Sequence, residues 1–377
     1  MRNCERGSSL LDKVSGFVVD LVQPDETVLD AGGSRAREAM SALHVEARAR
    51  GLWALPLPLE HGGGGLGLAD YFALAEAEGR SDHGPAALGS AALLDVRMLT
   101  EHAAPPVRER YVGALVAGRI TGAYAMTEPE VAGSDPAGIL TRADRVSDGW
   151  LLSGRKWFTT GAADAAYCTV LARSPKGLSS FVVPTGSPGF RVVRELPVLG
   201  AAGQYEIALE NVLVPQENLL GDEGSGLAIA GGRLALGRTL RCLRWIGQAE
   251  RAYDLMCERA RTRRTGDGVL ADRQLVRQHV FEALLAIRSA RALTHQAAAL
   301  VAEGRRARVE IGLAKVAAAR TLHRVVDSAV QVFGSEGLTP DTPLPMLARL
   351  GRTARILDGA DELHISATAR AVLAQRT

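Results

Sequence analysis

The chain has 377 residues, 47% of them hydrophobic and 23% charged, with a formal net charge of +2. That length permits one large domain or two to three smaller ones, and the near balance of charge excludes an electrostatic footprint for nucleic acid or an anionic membrane surface. The cysteines Cys4, Cys168, Cys242 and Cys257 form no C-x-x-C pair and no His/Cys cluster at metal spacing, so a reducing compartment and no metal are expected. Residues 1–6 lead into no signal-peptide core and no charge-free apolar run is long enough to cross a bilayer, which points to a cytoplasmic protein without membrane insertion.

From about Ser8 to Ala117 the pattern is helical with short breaks. Met40, Leu43 and Val45, then Tyr71, Leu74 and Ala75, recur at spacings that can share a helix face. Between them the run from Leu59 to Gly67 holds five glycines. No Gly-Lys-Ser/Thr follows it and no strand precedes it, so it reads as a flexible connector rather than a phosphate loop. His61 and His83 read as surface or capping residues.

After Gly118 the texture changes. Arg142–Val146 and Trp150–Leu152 flank Ser147-Asp148-Gly149, a hairpin signal. Short apolar runs follow at 166–172, 180–183, 190–193 and 205–209, separated by Gly, Pro and Ser. Without helix-length segments between them they predict a small antiparallel sheet domain and disfavour a parallel dinucleotide-binding sheet.

From about Gly226 long helices return. Leu236, Leu240, Leu243 and Ile246 form one stripe; Val280, Leu284 and Ile287 a second; Ile311, Ala314, Ala318, Leu322, Val325 and Ala329 a third. Pro340, Pro343 and Pro345 break the pattern before a last helix from about Asp361. The expectation is mainly α: an N-terminal helical domain over 1–118, a central β domain over 119–225 and a C-terminal four-helix bundle over 226–377.

Several motifs sit inside this order. The stretch Tyr124-Ala125-Met126-Thr127-Glu128-Pro129-Glu130-Val131-Ala132-Gly133-Ser134-Asp135 resembles the fingerprint of the acyl-CoA dehydrogenase family. It is one residue longer than the commoner TEPGAGSD form, and in that it is similar to the branch related to dehydrogenase domains fused to phosphotransferase-like domains. Lys156-Trp157-Phe158-Thr159-Thr160-Gly161, the segment Val212–Gly221 and Gln331-Val332-Phe333-Gly334-Ser335-Glu336-Gly337 follow in the family's order.

The resemblance implies an FAD enzyme that oxidises an acyl thioester, on coenzyme A or a carrier protein, to its trans-2-enoyl form. An electron-transferring flavoprotein would be the acceptor and a homodimer or homotetramer the assembly. Isoalloxazine has apolar faces and a hydrogen-bonding rim, so its pocket needs flat packing and edge donors. By resemblance Tyr124, Met126 and Thr127 serve that rim, Trp157 packs near the ring and Thr159 bonds near N5; alone, either residue reads as an ordinary core aromatic or strand residue. Gly133 and Ser134 are placed by the phosphates, with Ser134 also reaching the thioester arm; a plain Ser-Asp turn competes with that assignment. Arg263 and Thr265, from the segment that reaches a neighbouring subunit, and Gln331, Gly334 and Ser335, which meet the ADP part, complete the cofactor set. Here the Phe and Gly that follow that Arg in the family are lost, Asp267 introduces an acid, and Ser335 replaces a glycine.

The resemblance also aligns Asp358-Gly359 with the family's Glu-Gly and makes Asp358 the base for the α-proton, enclosed by apolar groups, with Gly359 and Arg238 at the substrate. Aspartate reaches about 1.5 Å less far than glutamate, enough to matter for a positioned base. Gly237 closes the family's alternative base position beside Arg238. Asp361 and Glu362 read as helix N-terminal charges favoured by the macrodipole. Two other readings stay open: a flavin monooxygenase of N-hydroxylase type, disfavoured by the carboxylate, and a non-catalytic acyl-thioester binding protein.

Overall fold

A computed structural model describes residues 2–374 of the chain. Helix α1 (Arg2–Phe17) runs through a π-helical turn (Val18–Val22) into α2 (Gln23–Ala31), and α3 (Gly33–Ala49), α4 (Leu68–Glu78), α5 (Gly84–Ala87), α6 (Leu93–His102) and α7 (Pro105–Val116) follow. The strands are β1 (Gly122–Ala125), β2 (Arg142–Val146), β3 (Gly149–Thr160), β4 (Tyr167–Ser174), β5 (Gly177–Pro184), β6 (Phe190–Val198), β7 (Ala201–Val214) and β8 (Leu219–Leu220). Helix α8 (Gly226–Thr262) comes next, then a small hairpin of β9 (Arg264–Thr265) and β10 (Gly268–Val269) and the helices α9 (Gln274–Ala302), α10 (Arg308–Phe333), α11 (Leu344–Ala354) and α12 (Asp361–Ala374). The side chain of Cys4 lies outside the described residues.

The chain divides into two compact units. The first comprises Met1–Leu52, Gly67–Leu88 and Ala235–Thr377; the second comprises Trp53–Leu66 and Gly89–Leu234. In the first, all four residues of the α8 stripe and all six of the α10 stripe are buried. On α9 the buried line is Ala283, Ile287, Ala290, Thr294 and Ala297, while Val280 and Leu284 lie at its edge. Small residues on that line let helices approach closely, and Gly79 and Gly247 do the same where α4 meets α8. A Cβ on Gly247 would stand 2.1 Å from the Glu76 carbonyl oxygen, and one on Gly79 2.2 Å from Cα of Arg244. Val45 is 65% exposed and Ala47 takes the buried place on α3, because a step of two residues turns about 200° around a helix and leaves the face.

The second unit holds a sheet in the order β6-β7-β3-β2-β4-β5-β8, to which β1 adds by pairing with β4. Val146 pairs with Gly149 across Ser147-Asp148, the hairpin expected. Gly149 is required there, since its φ is +142° and a Cβ would lie 2.1 Å from the Val214 carbonyl oxygen. The sheet is mixed rather than purely antiparallel: β1 runs parallel to β4, with Tyr124 opposite Thr169. Four residues arriving from a helix carry too short a pattern to reveal their direction of pairing. Trp150 and Phe181, ring centroids 5.2 Å apart, centre the core beneath the sheet.

The glycine run is a packed turn, not a flexible connector. The N–H groups of Gly63, Gly64 and Gly65 donate to the carbonyls of Pro58, Ala54 and Leu57. Cβ atoms on Gly63 and Gly64 would lie 2.4 Å from the Leu57 carbonyl oxygen and 2.7 Å from Cα of Leu55. Glycine is needed there for close backbone approach. No helix among the described residues is long and apolar enough to cross a membrane.

Candidate functional site

Each unit carries part of the expected site. In the second unit, β1 leads into the loop of Met126, Thr127 and Glu128, which is tied to β3. The Trp157 N–H donates to the Thr127 carbonyl at 3.0 Å. Lys156 Nζ reaches the Met126 carbonyl and Glu128 Oε1, both at 2.9 Å, and Glu128 also accepts from the Leu140 and Thr141 N–H groups. Lys156 is completely buried, and burial pushes its pKa down to about 8 against the pull of Glu128. Burial alone would raise the Glu128 carboxyl, but hydrogen bonds from Thr141, Lys156 and Leu140 hold it below its ordinary 4.5. The pair fixes the loop from behind. Gly133 packs on Thr127, whose Cγ2 would be 3.2 Å from an added Cβ, whereas Ser134 is exposed in the loop beyond.

A β-bulge then redistributes the next residues. Lys156 pairs with Ile207 but Thr159 with Tyr205, so one extra residue is accommodated, and Phe158 takes a φ of +50°. Bulges of this kind re-aim side chains. Thr159 ends fully buried in the sheet, while Phe158 is 44% exposed and Thr160 exposed, its hydroxyl donating to Gln204 Oε1 at 3.0 Å. Phe158 and Thr160 are thus exposed beside the expected pair, of which Trp157 is half-buried and Thr159 buried. Regular alternation along the strand hides this. The Trp157 ring lies against Phe158, centroids 4.7 Å apart.

A flat heterocycle with a polar rim fits this donor set. Phe158 offers an aromatic face, Thr127 and Thr160 offer hydroxyls, and the buried polar atoms of Trp157 and Thr159 have no hydrogen-bond partner of their own. Buried polar groups are normally paired, so such atoms mark places where a ligand edge could be received.

The first unit holds the acid. Asp358 adopts φ +57° and Gly359 φ +94°. Left-handed backbone at a non-glycine residue is strained and persists only where its surroundings hold it. Here the Asp358 carbonyl accepts from Arg238 Nε at 2.9 Å and from the His364 ring at 3.0 Å. Because a carbonyl only accepts, His364 carries its proton on Nε2 toward it; burial, the largest influence, lowers the His364 pKa and favours the neutral ring. Burial also lowers the Arg238 pKa, opposed by the charge of Asp358. A Cβ on Gly359 would meet that His364 nitrogen at 2.9 Å, so the residue after the acid must be glycine.

The Asp358 carboxylate does not sit among apolar groups, as the sequence suggested. Its Oδ2 lies 3.5 Å from Arg241 Nε with the side chain 28% exposed, and Arg241 also comes within 3.8 Å of Asp82. Arg241 follows Arg238 by three residues on the same face of α8, a spacing legible in hindsight in a chain where arginine is common. Asp361 stands at the N-terminus of α12, as expected, but it is not solvated. It is fully buried and paired with Lys315 (3.1 Å), Arg355 (3.1 Å) and Arg320 (3.3 Å). Glu362 is exposed, as a helix-end charge should be.

The remaining cofactor candidates gather at one end of the helical bundle. Arg263 and Thr265 lie at and after the end of α8, and Gln331, Gly334 and Ser335 at the end of α10, all but Thr265 exposed. Arg259 ties the two ends together through the Phe333 carbonyl (3.4 Å) and Glu336 (2.8 Å). Asp267 is almost fully exposed, 3.7 Å from Arg273.

Models of the acyl-CoA dehydrogenase N-terminal, middle and C-terminal domains match residues 5–119, 123–212 and 224–373. The chain belongs to the acyl-CoA dehydrogenase family and is an oxidoreductase. Among its relatives, "Probable acyl-CoA dehydrogenase FadE2" of Mycobacterium tuberculosis is 38% identical, the match covering 88% of this chain and 85% of that protein. The human "Acyl-CoA dehydrogenase family member 11" is 33% identical over 97% of this chain but only 50% of its own length, so the chain spans about half of that relative. The solved structure of butyryl-CoA dehydrogenase from Megasphaera elsdenii is similar at a TM-score of 0.87 and 26% identity, covering 97% of this chain and 98% of that one.

Proposed function

We propose that the chain is an FAD-dependent acyl-thioester dehydrogenase in which Asp358 removes the α-proton and the product is the trans-2-enoyl thioester. Bound FAD supplies the acceptor for the β-hydrogen and its electron pair. The observation that carries the reading is the turn at Asp358: a strained left-handed acid, clamped through its carbonyl by Arg238 and His364 and followed by an obligatory glycine. Such clamping fixes the backbone from which a short carboxylate must reach, a positioning that general-base catalysis requires. To take a proton, the carboxylate leaves Arg241 and turns to the substrate carbon. Gly359 lets the thioester approach the backbone, and Arg238, anchored on the Asp358 carbonyl, holds the end of α8 beside it.

In this reading Tyr124, Met126, Thr127, Gly133, Ser134, Trp157 and Thr159, with Phe158 and Thr160 added, hold the flavin and its phosphates, and Ser134 also meets the substrate arm. Arg263, Thr265, Gln331, Gly334 and Ser335 serve the ADP portion, with Arg263 reaching a second copy in a homodimer or homotetramer. The substrate is an acyl-CoA or carrier-protein thioester and the acceptor an electron-transferring flavoprotein. The functional division is 1–118, 119–225 and 226–377.

The test is Asp358→Asn. The variant should keep its bound flavin but lose anaerobic bleaching by acyl thioesters; retained bleaching would remove the base assignment. Oxygen-dependent consumption of NAD(P)H by the native protein would instead favour the monooxygenase reading.

A further inference from the structure

A second polar cluster lies inside the second unit, on residues the motifs do not include apart from Tyr124. Arg233, in the opening turns of α8, donates from Nη2 to Asp95 Oδ1 of α6 at 3.0 Å. The two side chains are only 13% and 10% exposed. The guanidinium also lies over the Tyr124 ring, its carbon 4.6 Å from the centroid.

These contacts leave polar capacity unused. Arg233 Nη1 and the hydroxyls of Tyr124, Tyr111 and Tyr167 are all buried without a hydrogen-bond partner. The last two belong to rings tilted by 47° with centroids 4.7 Å apart. Burial pushes the Tyr124 hydroxyl up to about 12, and both Tyr124 and Tyr167 feel the charges of Arg233 and Asp95. The unmet Nη1 thus belongs to an ion pair that packs on the Tyr124 ring. Leaving a charged donor buried and unmet is costly, and a ligand oxygen bonded to Nη1 would offset that cost.

The charge balance selects the ligand atom. Asp95 already neutralises Arg233, so a second anion would face the Asp95 carboxylate and pay for its own desolvation. A neutral oxygen accepts from Nη1, and if it carries a proton it also donates to the Tyr124 hydroxyl. Tyr124 lies two residues before Met126, in the segment assigned above to the cofactor and substrate.

We infer that Asp95, Arg233 and Tyr124 form a recognition subsite for a neutral oxygen, hydroxyl or carbonyl, carried by the substrate. The inference rests on the dehydrogenase reading and deepens it. Such an oxygen has two sources: a substituent on the acyl chain, or an amide carbonyl of the thiol arm.

The test measures calorimetric Kd on the flavin-loaded protein for four ligands. They are acyl-CoA esters of matched length with and without a hydroxyl beyond the β-carbon, and the N-acetylcysteamine thioesters of the same two chains. Arg233→Met removes the donor; Tyr124→Phe, which removes the hydroxyl and keeps the ring under the guanidinium, serves if the first variant does not fold. The expected result is a fall of about tenfold or more in the preference for the hydroxylated chain. Equal losses on both CoA esters with none on the short-arm thioesters would also uphold the subsite and assign the oxygen to the arm. An unchanged set of ratios across all four ligands would overturn it, leaving an internal ion pair. Anaerobic bleaching by the unhydroxylated ester, recorded alongside, tests dehydrogenation separately, since the Kd ratios do not depend on turnover.

Discussion

Asp361 is the residue whose removal tests most directly how the acid turn is held. Its side chain and that of Lys315 are both fully buried, and its backbone N–H donates to the Arg355 carbonyl at 3.0 Å, three residues after Asp358. Burial would raise its pKa, but the bonds from Arg355, Lys315 and Arg320 hold it below its ordinary 3.8. Asp361→Asn leaves the Lys315 ammonium buried without its counter-charge. Breaking a buried pair from one side costs about 3–5 kcal/mol. Arg320 and Arg355 soften this little, because their side chains are 48% and 34% exposed and already solvated in part. For a unit of roughly two hundred residues that loss corresponds to a fall in Tm on the order of 10 °C. Lys315→Met combined with Asp361→Leu removes both charges and should recover most of it, since an apolar pair of similar volume is often no worse than an ion pair. Differential scanning calorimetry on the three proteins decides. A single variant within about 1 kcal/mol of the native chain, or a double variant no better than the single, would refute the reasoning.

The acid limb of the stability curve follows from the same groups. Glu128 and Asp361 are depressed in the folded state, so the unfolded chain takes their protons first; their contribution is present above the ordinary values of 4.5 and 3.8 and is lost as pH falls through the lower folded ones. Tm should drop steeply below about pH 4 and the drop should be shallower in the Lys315/Asp361 double variant; an identical limb would exclude the pair as its source. Thr159→Val should weaken flavin retention, since it removes the unmet buried hydroxyl assigned to the flavin rim, whereas Thr160→Val should weaken it less, its hydroxyl already donating to Gln204 at 3.0 Å. The reverse order in flavin content would assign the rim hydroxyl to Thr160. Gly247→Ala brings a Cβ to 2.1 Å from the Glu76 carbonyl oxygen and should destabilise by about 1–3 kcal/mol or more in thermal unfolding; neutrality would mean that α4 and α8 can part without cost.

The sequence by itself determined the order of elements, the α8 and α10 stripes, the Ser147-Asp148 hairpin and the family, because each depends on residues close in the chain. Periodicity, turn chemistry and contiguous motifs are local, and they survive without coordinates. Direction and facing were decided only by the tertiary structure. β1 is parallel to β4 because of where the strand arrives, not because of its four residues. The bulge after Lys156 inserts one extra residue, burying Thr159 and leaving Phe158 exposed, and strand alternation cannot register it. Asp361 reads only as a helix-end acid until Lys315, forty-six positions earlier, is brought against it by packing. Arg241 is one arginine among many until the left-handed turn at Asp358 carries a carboxylate to it. Charge pairing between distant segments depends on which buried surfaces meet, and that is fixed by the assembled core rather than by any stretch of sequence.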